Sequence, residues 1–296
     1  MLDAMSLDQL RTFIAAAEEG SFSAAGRKLR RAQSVVSHTL ANLELQVGFP
    51  LFERTGRYPQ LTDAGRALLD QARAAVRGMD AFKARARTLA EGLEPELAVA
   101  VDVMFPIATL TSAVQAFHQQ FPFTPLRLYV EALGAVVQPL LAGQCRLAIV
   151  GSMPELPENC TTEYLLHVPA VTVAAPCHPL ARIDGVVLRS VAAQHIQLVL
   201  TDRSTLTAGR DYGVVSPNVW RLADLGAKHA FLKAGLGWGG MPLHMVEADL
   251  RAGTLKALAL EPSPTVGPGF SMSAVHLKDQ PPGPAARWFV ARLRQG

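Results

Sequence analysis

The chain has 296 residues, of which 49% are hydrophobic and 18% are charged, and its net charge is +3. This balance is typical of a soluble globular protein with two or more domains, and no uncharged apolar run reaches the roughly eighteen residues that a membrane span needs. The first residues, MLDAMSLDQLR, carry acids where a secretory signal needs a basic flank, so we expect a cytoplasmic protein.

Positive charge is concentrated near the N-terminus. Between residues 20 and 58 there are six Lys or Arg side chains and only two acidic ones. A local excess of this kind indicates a nucleic-acid partner more strongly than the small overall charge does.

The first predicted elements are two helices and a tight turn. Apolar residues recur at helical spacing over 7–19, and Gly20 ends that helix. A second, short helix runs through SAAGRKL, with Ser21 or Ser23 as its cap. Gly26 lies within this helix and should cost about 1 kcal/mol relative to alanine. The connection RRAQ leads into a third helix, so the region predicts a helix-turn-helix.

The third predicted helix, over 33–46, has two different faces. One face is an apolar stripe at positions i, i+4, i+7 and i+11, formed by Val36, Leu40, Leu43 and Val47. The opposite face carries short polar side chains and no acid: Gln33, Ser34, Ser37 and His38. Because the stripe is sufficient to seat the helix on a core, the polar face should meet something polar and anionic.

A wing is predicted after this helix. The run FPLFERTGRYPQLT offers two short extended pieces joined around Thr55 and Gly56, with Arg54 and Arg57 beside the tip. This pattern is typical of the wing of a winged helix-turn-helix.

These motifs resemble the winged helix-turn-helix of LysR-type transcriptional regulators. The residues that carry the resemblance are Phe22-Ser23-Ala24-Ala25, Gln33, Ser37, Leu43-Glu44, Gly48, Leu51-Phe52-Glu53-Arg54 and Leu61-Thr62-Asp63-Ala64-Gly65. The resemblance implies that 33–46 enters the major groove of double-stranded DNA and that 54–57 forms the wing. The implied DNA-binding residues are Gln33 and His38 toward base edges, Ser23, Ser34 and Ser37 toward phosphates or bases, and Arg31, Arg54 and Arg57 toward phosphates.

Residues 62–93 contain no proline and predict one long helix capped by Thr62. Its apolar positions alternate spacings of four and three, which is a heptad seam, at Leu68, Ala72, Ala75, Met79, Phe82, Ala86 and Leu89. Such a narrow seam should face a partner helix, although packing against its own domain is an alternative. The helix resembles the linker and dimerisation helix of the same family, which implies a homodimer or homotetramer with paired DNA half-sites.

The remaining chain alternates short apolar runs with helical stretches. Strands are predicted over 97–103, 126–131, 146–150, 171–175, 196–200, 218–222 and 269–277, and helices over 107–121, about 134–142, ADLGAKHAFLKAG and from Pro284. This pattern predicts βαβ units in two strand sets joined by two crossings, which is a clamshell. It resembles the LysR-type effector-binding half, itself similar to periplasmic binding proteins.

The predicted fold class is α/β with three parts. These are a winged helix-turn-helix DNA-binding domain (1–61), a dimerisation helix (62–93) and a two-subdomain effector-binding domain similar to periplasmic binding proteins (94–296). Subdomain 1 comprises 94–165 and 266–296, and subdomain 2 comprises 166–265. The organisation predicts a sequence-specific transcriptional regulator that a small molecule modulates from between the subdomains.

The effector-binding residues are predicted from strand ends and the crossover, where ligands bind in such sheets. They are Met104, Phe105, Glu131, Ala132, Leu133, Val150, Gly151, Thr201, Asp202, Arg203 and Ser204. The last four could hold a carboxylate or phosphate through hydroxyls, backbone N–H groups and an arginine. A polar turn with an internal Asp202–Arg203 pair is the alternative. Relatives often have small hydroxyl residues in place of Met104 and Phe105, which favours an aromatic or otherwise amphipathic effector over a small polar acid, whereas 201–204 favours an anionic group.

Enzyme chemistry is disfavoured. GLGWGG at 235–240 fits the dinucleotide fingerprint, but it follows a helix and runs into a proline, so close strand packing is the better interpretation. There is no GxSxG elbow, and the eight histidines are scattered. Cys145, Cys160 and Cys177 form no CxxC pair and the histidines are not grouped, which predicts neither a metal site nor a disulfide framework. No cofactor is predicted. A winged-helix protein with an enzymatic or redox-sensing C-terminal domain stays the alternative.

Overall fold

A computed structural model describes residues 5–53, 59–151, 156–207, 209–210, 212–261 and 266–295. The chain divides into two compact units, Met1–Ala90 and Glu91–Gly296, and each is described by itself. The predicted domain limits at 61/62 and 93/94 are finer than this division and stay a prediction.

The first unit is a helical bundle with a short hairpin. Its elements are α1 (Leu7–Glu19), α2 (Phe22–Leu29), α3 (Gln33–Val47), β1 (Phe52–Glu53), β2 (Gln60–Leu61) and α4 (Asp63–Ala90). Ser6 caps α1 through a reciprocal pair of hydrogen bonds with Gln9, and Gly20 ends it with φ +63°. Ser21, rather than Ser23, caps α2 by accepting from the backbone N–H of Ala24 at 3.1 Å.

Gly26 has a structural reason in the turn between α2 and α3. The backbone N–H of Arg31 donates to the carbonyl oxygen of Gly26 at 2.8 Å. A Cβ atom on residue 26 would lie 2.7 Å from the carbonyl oxygen of Arg31, which is too close for any side chain. The helix therefore accepts a poor helix former because only glycine permits this close turn.

The hairpin of β1 and β2 is antiparallel, with Phe52 opposite Leu61, and it confirms the two predicted extended pieces. The ring of Phe52 packs edge-to-face on Phe13 and Phe22, with ring centroids 5.7 and 5.4 Å apart. The Glu44 carboxylate of α3 accepts the backbone N–H groups of Leu51 and Phe52 at 2.8 and 3.1 Å. The hairpin is thus attached to the helix that precedes it.

The long helix α4 begins as predicted, because the hydroxyl of Thr62 accepts the backbone N–H of Gly65 at 2.9 Å. It ends at Ala90 rather than 93, where Gly92 adopts φ +81°. Leu68 and Ala72 in its first half pack into the core of the first unit.

The second unit is an α/β sheet with covering helices. Its strands are β3 (Leu97–Asp102), β4 (Leu126–Glu131), β5 (Leu147–Val150), β6 (Cys160–Ala174), β7 (Val186–Val187), β8 (Gln197–Leu200), β9 (Val219–Leu222), β10 (Trp238–Pro242), β11 (Lys256–Ala257), β12 (Ala259–Leu260) and β13 (Val266–Leu277). Its α-helices are α5 (Ile107–Gln120), α6 (Gln138–Leu141), α7 (Arg189–Ala192), α8 (Leu225–Lys233), α9 (Leu243–Ala252) and α10 (Pro284–Arg294).

Within the described residues, the main sheet runs in the order β4-β3-β5-β13-β6-β10-β8-β9, and β11 pairs with β6. One end (β4, β3, β5) and the other (β10, β8, β9) are parallel sets. The long antiparallel pair of β6 and β13 joins them. This arrangement confirms the predicted α/β fold with two strand sets and two crossings.

Several predicted boundaries are wrong. The strand expected over 171–175 is the end of the longer β6, whose exposed, polar first half has no apolar run and pairs with β13. The helix expected over 134–142 is a 3-10 turn (Leu133–Val136) followed by α6, because Pro139 lacks the N–H that would continue it. The helix α9 was not predicted.

The glycine-rich run at 235–240 ends in a strand, β10, between β6 and β8. A Cβ on Gly237 or Gly239 would lie 2.5 Å from the carbonyl oxygens of Ile196 or Leu198. Close strand packing therefore explains these glycines.

Candidate functional site

The orientation of α3 is as predicted. Val36, Leu40 and Leu43 are at most 1% exposed, whereas Gln33, Ser34 and His38 are exposed. Ser37 is half-buried beside them. A row of hydrogen-bonding side chains thus lies on the outer surface of the helix.

Two residues on this surface were not predicted. Asn42 lies one turn beyond His38, and its Nδ2 is 3.2 Å from the His38 Nε2. This contact holds the imidazole ring in one orientation on the helix surface. Val35 is 46% exposed on the same surface. Both positions fall outside the apolar stripe, so the helical periodicity could have identified them.

Two of the predicted DNA-contacting side chains outside α3, Arg31 and Ser23, have partners within the first unit. The Arg31 guanidinium donates to the Asp8 carboxylate at 2.6 Å, and this hydrogen bond lowers the pKa of Asp8. The pair uses one of the five guanidinium N–H donors. Ser23 accepts from the Arg27 guanidinium at 3.1 Å. Arg54 and Arg57 lie outside the described residues, so their assignment to the wing stays a prediction.

The predicted seam of α4 has a more buried first part and an exposed second part, and its role in dimerisation stays a prediction. Leu68 and Ala72 pack on the core of their own unit, which favours the packing alternative for this first part. Later along the same helix, Met79, Phe82 and Leu89 are exposed, and Phe82 is 68% exposed. Ala75 and Ala86 are exposed as well. An apolar groove of about 410 Å³ lies beside Leu68 and Ala75.

In the second unit, part of the predicted cleft is buried. Met104, Phe105, Ala132, Leu133 and Val150 are all less than 9% exposed and pack in hydrophobic clusters. These side chains are apolar, and they pack into the core at the ends of the strands because burying apolar surface is favourable. Ala132 nevertheless lines a cavity beside Glu131 and Arg203, and the role of all five residues as ligand contacts stays a prediction.

A carboxylate that was not predicted organises one of these strand ends. Asp102 is 1% exposed and accepts the backbone N–H groups of Met104 at 3.0 Å and Gly151 at 3.2 Å. A Cβ on Gly151 would lie 2.1 Å from the sulfur of Met272, so this predicted cleft position is filled. The signal for Asp102 was an acid in the otherwise apolar run LAVAVDV.

In the segment 201–204, the internal pair of the alternative interpretation is not formed, and the role of the segment in effector binding stays a prediction. Asp202 does not pair with Arg203; it accepts from the hydroxyl of Ser204 at 2.6 Å and from the backbone N–H of Ala135 at 2.8 Å. Thr201 stays close to the backbone, with its hydroxyl 3.5 Å from the carbonyl oxygen of Asp202.

Arg203 and Glu131 are both exposed and both line two adjacent cavities of about 730 and 350 Å³. Within the described part of the chain, neither side chain forms a hydrogen bond or an ion pair. These two cavities are the part of the predicted cleft that remains open, and among their lining residues are one arginine, Arg203, and three acids, Glu131, Asp202 and Asp224.

The cysteines are free thiols. Cys145 is buried, Cys160 half-buried and Cys177 exposed. Burial raises the pKa of the Cys145 and Cys160 thiols, which lowers their thiolate fraction. Among the residues that the structure describes, no three His, Cys, Asp or Glu side chains are grouped to hold a metal ion. No described helix is both long enough and apolar enough to cross a membrane.

Two family models together match almost the whole chain. Residues 7–66 match the bacterial regulatory helix-turn-helix protein, lysR family, and residues 90–296 match the LysR substrate binding domain. The chain belongs to the LysR family of transcriptional regulators. It is thus a DNA-binding transcriptional regulator with an effector-binding domain, and members of this family are generally not enzymes.

Curated relatives agree with the LysR assignment. The chain is 29% identical over 294 residues to the HTH-type transcriptional regulator AceR of Acinetobacter baumannii, which covers 97% of this chain and 96% of that protein. It is 31% identical over 256 residues to the HTH-type transcriptional regulator PunR of Escherichia coli, over 83% of this chain and 80% of that one.

Solved structures share the LysR-type fold. The OxyR C206 mutant of Corynebacterium glutamicum aligns with a TM-score of 0.57 and 21% identity, covering 98% of this chain and 92% of that chain. CbnR, a LysR family transcriptional regulator, aligns with a TM-score of 0.50 and 24% identity, covering 98% of this chain and 100% of that one.

Proposed function

We propose that α3 of this LysR-family regulator reads base edges in the major groove of duplex DNA. The observation that carries the proposal is the division of α3 into a buried apolar stripe and an exposed polar row that includes Gln33, Ser34 and His38. An amide can bond two atoms of an adenine edge, and an imidazole can donate to guanine. Asn42 would fix the ring of His38 for this contact.

Phosphate contacts would position α3 without reading sequence. Arg31 lies just before the helix and Ser37 lies on it, Ser23 would contribute from the start of α2, and Arg54 and Arg57 would complete the contact from the wing. Because these contacts neutralise phosphates, binding should weaken steeply as salt concentration rises.

The exposed apolar residues of α4 are proposed to meet a second copy of the chain. Met79, Phe82 and Leu89 would form the seam, without Leu68 and Ala72. A homodimer presents two copies of α3 to a pair of DNA half-sites, and two dimers would form a tetramer. We place this assembly in the cytoplasm.

The effector is proposed to bind in the cavities that Glu131 and Arg203 line, between subdomain 1 (94–165 and 266–296) and subdomain 2 (166–265). A ligand that binds one conformation of the assembly more tightly shifts the equilibrium toward it and thereby changes DNA affinity. An amphipathic molecule suits this site if it carries an anionic group for Arg203 and a hydrogen-bond donor for the carboxylate of Glu131 or Asp224. The coupling needs no bond to be made or broken, so we infer a regulator without enzymatic activity.

The test is footprinting and fluorescence anisotropy on duplex DNA that flanks the protein's own coding region. We expect a protected site whose affinity falls as salt rises. Gln33→Ala should reduce discrimination at one base pair by about 1–3 kcal/mol without changing the salt dependence. The matched control is Gln280→Ala, an exposed glutamine of the second unit. Sequence-independent binding by the wild type, or equal behaviour of the two variants, would refute base reading by α3.

A further inference from the structure

The carboxylate of Asp202 connects two segments of the second unit. These are the turn at 132–136, which follows β4, and the segment at 201–207, which follows β8. Asp202 Oδ2 accepts the backbone N–H of Ala135 at 2.8 Å and the hydroxyl of Ser204 at 2.6 Å, and Thr207 donates to Oδ1. The Ala135 N–H also contacts the carbonyl oxygen of Ala132 at 3.1 Å, so this donor is shared. The donors come from both strand sets of the sheet.

The hydroxyl groups that bind the Asp202 carboxylate belong to buried side chains. Ser204 and Thr207 are 7% and 6% exposed, and their hydroxyl oxygens are 3.3 Å apart. Each hydroxyl has a single proton, and both protons point to Asp202. Neither hydroxyl is therefore free to donate to a second anion while Asp202 is in place.

The two segments touch so closely that no side chain fits between them. A Cβ on Gly134 would lie 2.4 Å from the Ser204 hydroxyl oxygen and 2.9 Å from Leu206 Cβ. Leu133, just before it, adopts φ +50°, which costs energy for any residue but glycine. The surrounding contacts must hold this turn in place.

We propose that the Ala135 N–H and the hydroxyls of Ser204 and Thr207 form a carboxylate-binding subsite, and that its occupant is the chain's own Asp202, which latches the two strand sets together. A tethered carboxylate competes with a free one at a high effective concentration, so an external anion is kept out. One consequence rests on the proposed function: the anionic group of an effector must bind Arg203, which lies outside the latch.

The test is to remove the tethered carboxylate and supply a free one. Asp202→Ala should lower the thermal midpoint of the full chain by roughly 5 °C in sodium chloride. Sodium formate at the same ionic strength should restore most of the loss saturably, because formate fits the space that the side chain leaves. The wild type and Asp184→Ala, which removes an exposed carboxylate, should not respond specifically to formate. Equal responses of all three proteins would overturn the subsite.

A double-mutant cycle keeps the latch testable if Asp202→Ala does not fold. Asp202→Asn keeps the shape but turns an NH₂ group toward the donors, and Thr207→Val removes one donor isosterically. The losses in midpoint should be clearly less than additive in the double variant, because both changes break the same contact. Additive losses would overturn the latch. DNA anisotropy of the wild type tests the proposed function separately, so the two failures are distinguishable.

Discussion

Lys228 is a cation in the core of the second unit. It is 4% exposed, and its ammonium donates to the carbonyl oxygen of Gly240 at 2.7 Å. Burial lowers the pKa of Lys228 from 10.5 to about 8. A buried charge with one backbone partner is costly, and the cost is present wherever the group is protonated.

The pH dependence of Lys228 follows from its lowered pKa. Below pH 8 both the folded and the unfolded chain bind the proton, so the penalty is constant; between pH 8 and 10.5 only the unfolded chain binds it, and stability should rise with pH. Lys228→Met should therefore raise the free energy of unfolding at pH 7 by about 1–3 kcal/mol and remove that rise. Urea unfolding from pH 7 to 10.5 measures this. The same slope in Lys228→Met and the wild type would contradict the assignment.

Gly26 allows a second prediction at the scale of single residues, on the tightness of the turn between α2 and α3. Gly26→Ala should gain helix propensity but lose more, by a net of about 1–3 kcal/mol, because its Cβ would meet the carbonyl oxygen of Arg31 at 2.7 Å. The control is Gly78→Ala in α4, where nothing lies within 4 Å of the new Cβ and about 0.5–1 kcal/mol should be gained. Chemical denaturation compares the two, and a gain in stability for both would show that the turn is not tight.

At the scale of elements, the hairpin of the first unit depends on α3. The Glu44 carboxylate accepts two backbone N–H groups of the chain that enters β1. Since hydrogen bonds to a charged group are stronger than neutral ones, this side chain couples the reading helix to the strand that leads to the wing.

Glu44→Ala should therefore destabilise the first unit by about 2 kcal/mol, because it leaves two partly buried N–H groups without this acceptor. Glu53→Ala, on the exposed face of β1, is the matched control and should be nearly neutral. Thermal unfolding followed by circular dichroism measures both. Hydrogen exchange at residues 51 and 52 that is equally protected in the two variants would contradict the coupling.

At the scale of the whole molecule, the exposed part of α4 decides assembly. Phe82→Glu should place a charge in the proposed seam and dissociate the oligomer, as sedimentation velocity would show. Affinity for a paired DNA site should then fall toward that for a single half-site, because the second contact is no longer intramolecular. Ala74→Glu adds the same charge away from the seam. An intact oligomer in Phe82→Glu would remove the seam.

The helices of the first unit and the seating of α3 could be predicted because their signals are local. A helix period, a cap such as Thr62 and a terminating glycine such as Gly20 all act within about one turn of chain. The wing was predicted from two short extended pieces and the partner helix from a heptad period, and the family motifs added the roles that these elements would have on DNA.

Tertiary structure alone decided the rest. The first half of β6 has no strand pattern and exists because β13 pairs with it about a hundred residues later. Met104 and Phe105 follow a strand, which is where cleft residues are expected. They pack in the core instead, because burying apolar surface is favourable. Asp202 could be seen as polar, but its partner Ala135 lies 67 residues away. The order of residues in the chain does not show which distant segments come into contact. The open part of the cleft and the part closed by Asp202 can therefore be distinguished only in the folded structure.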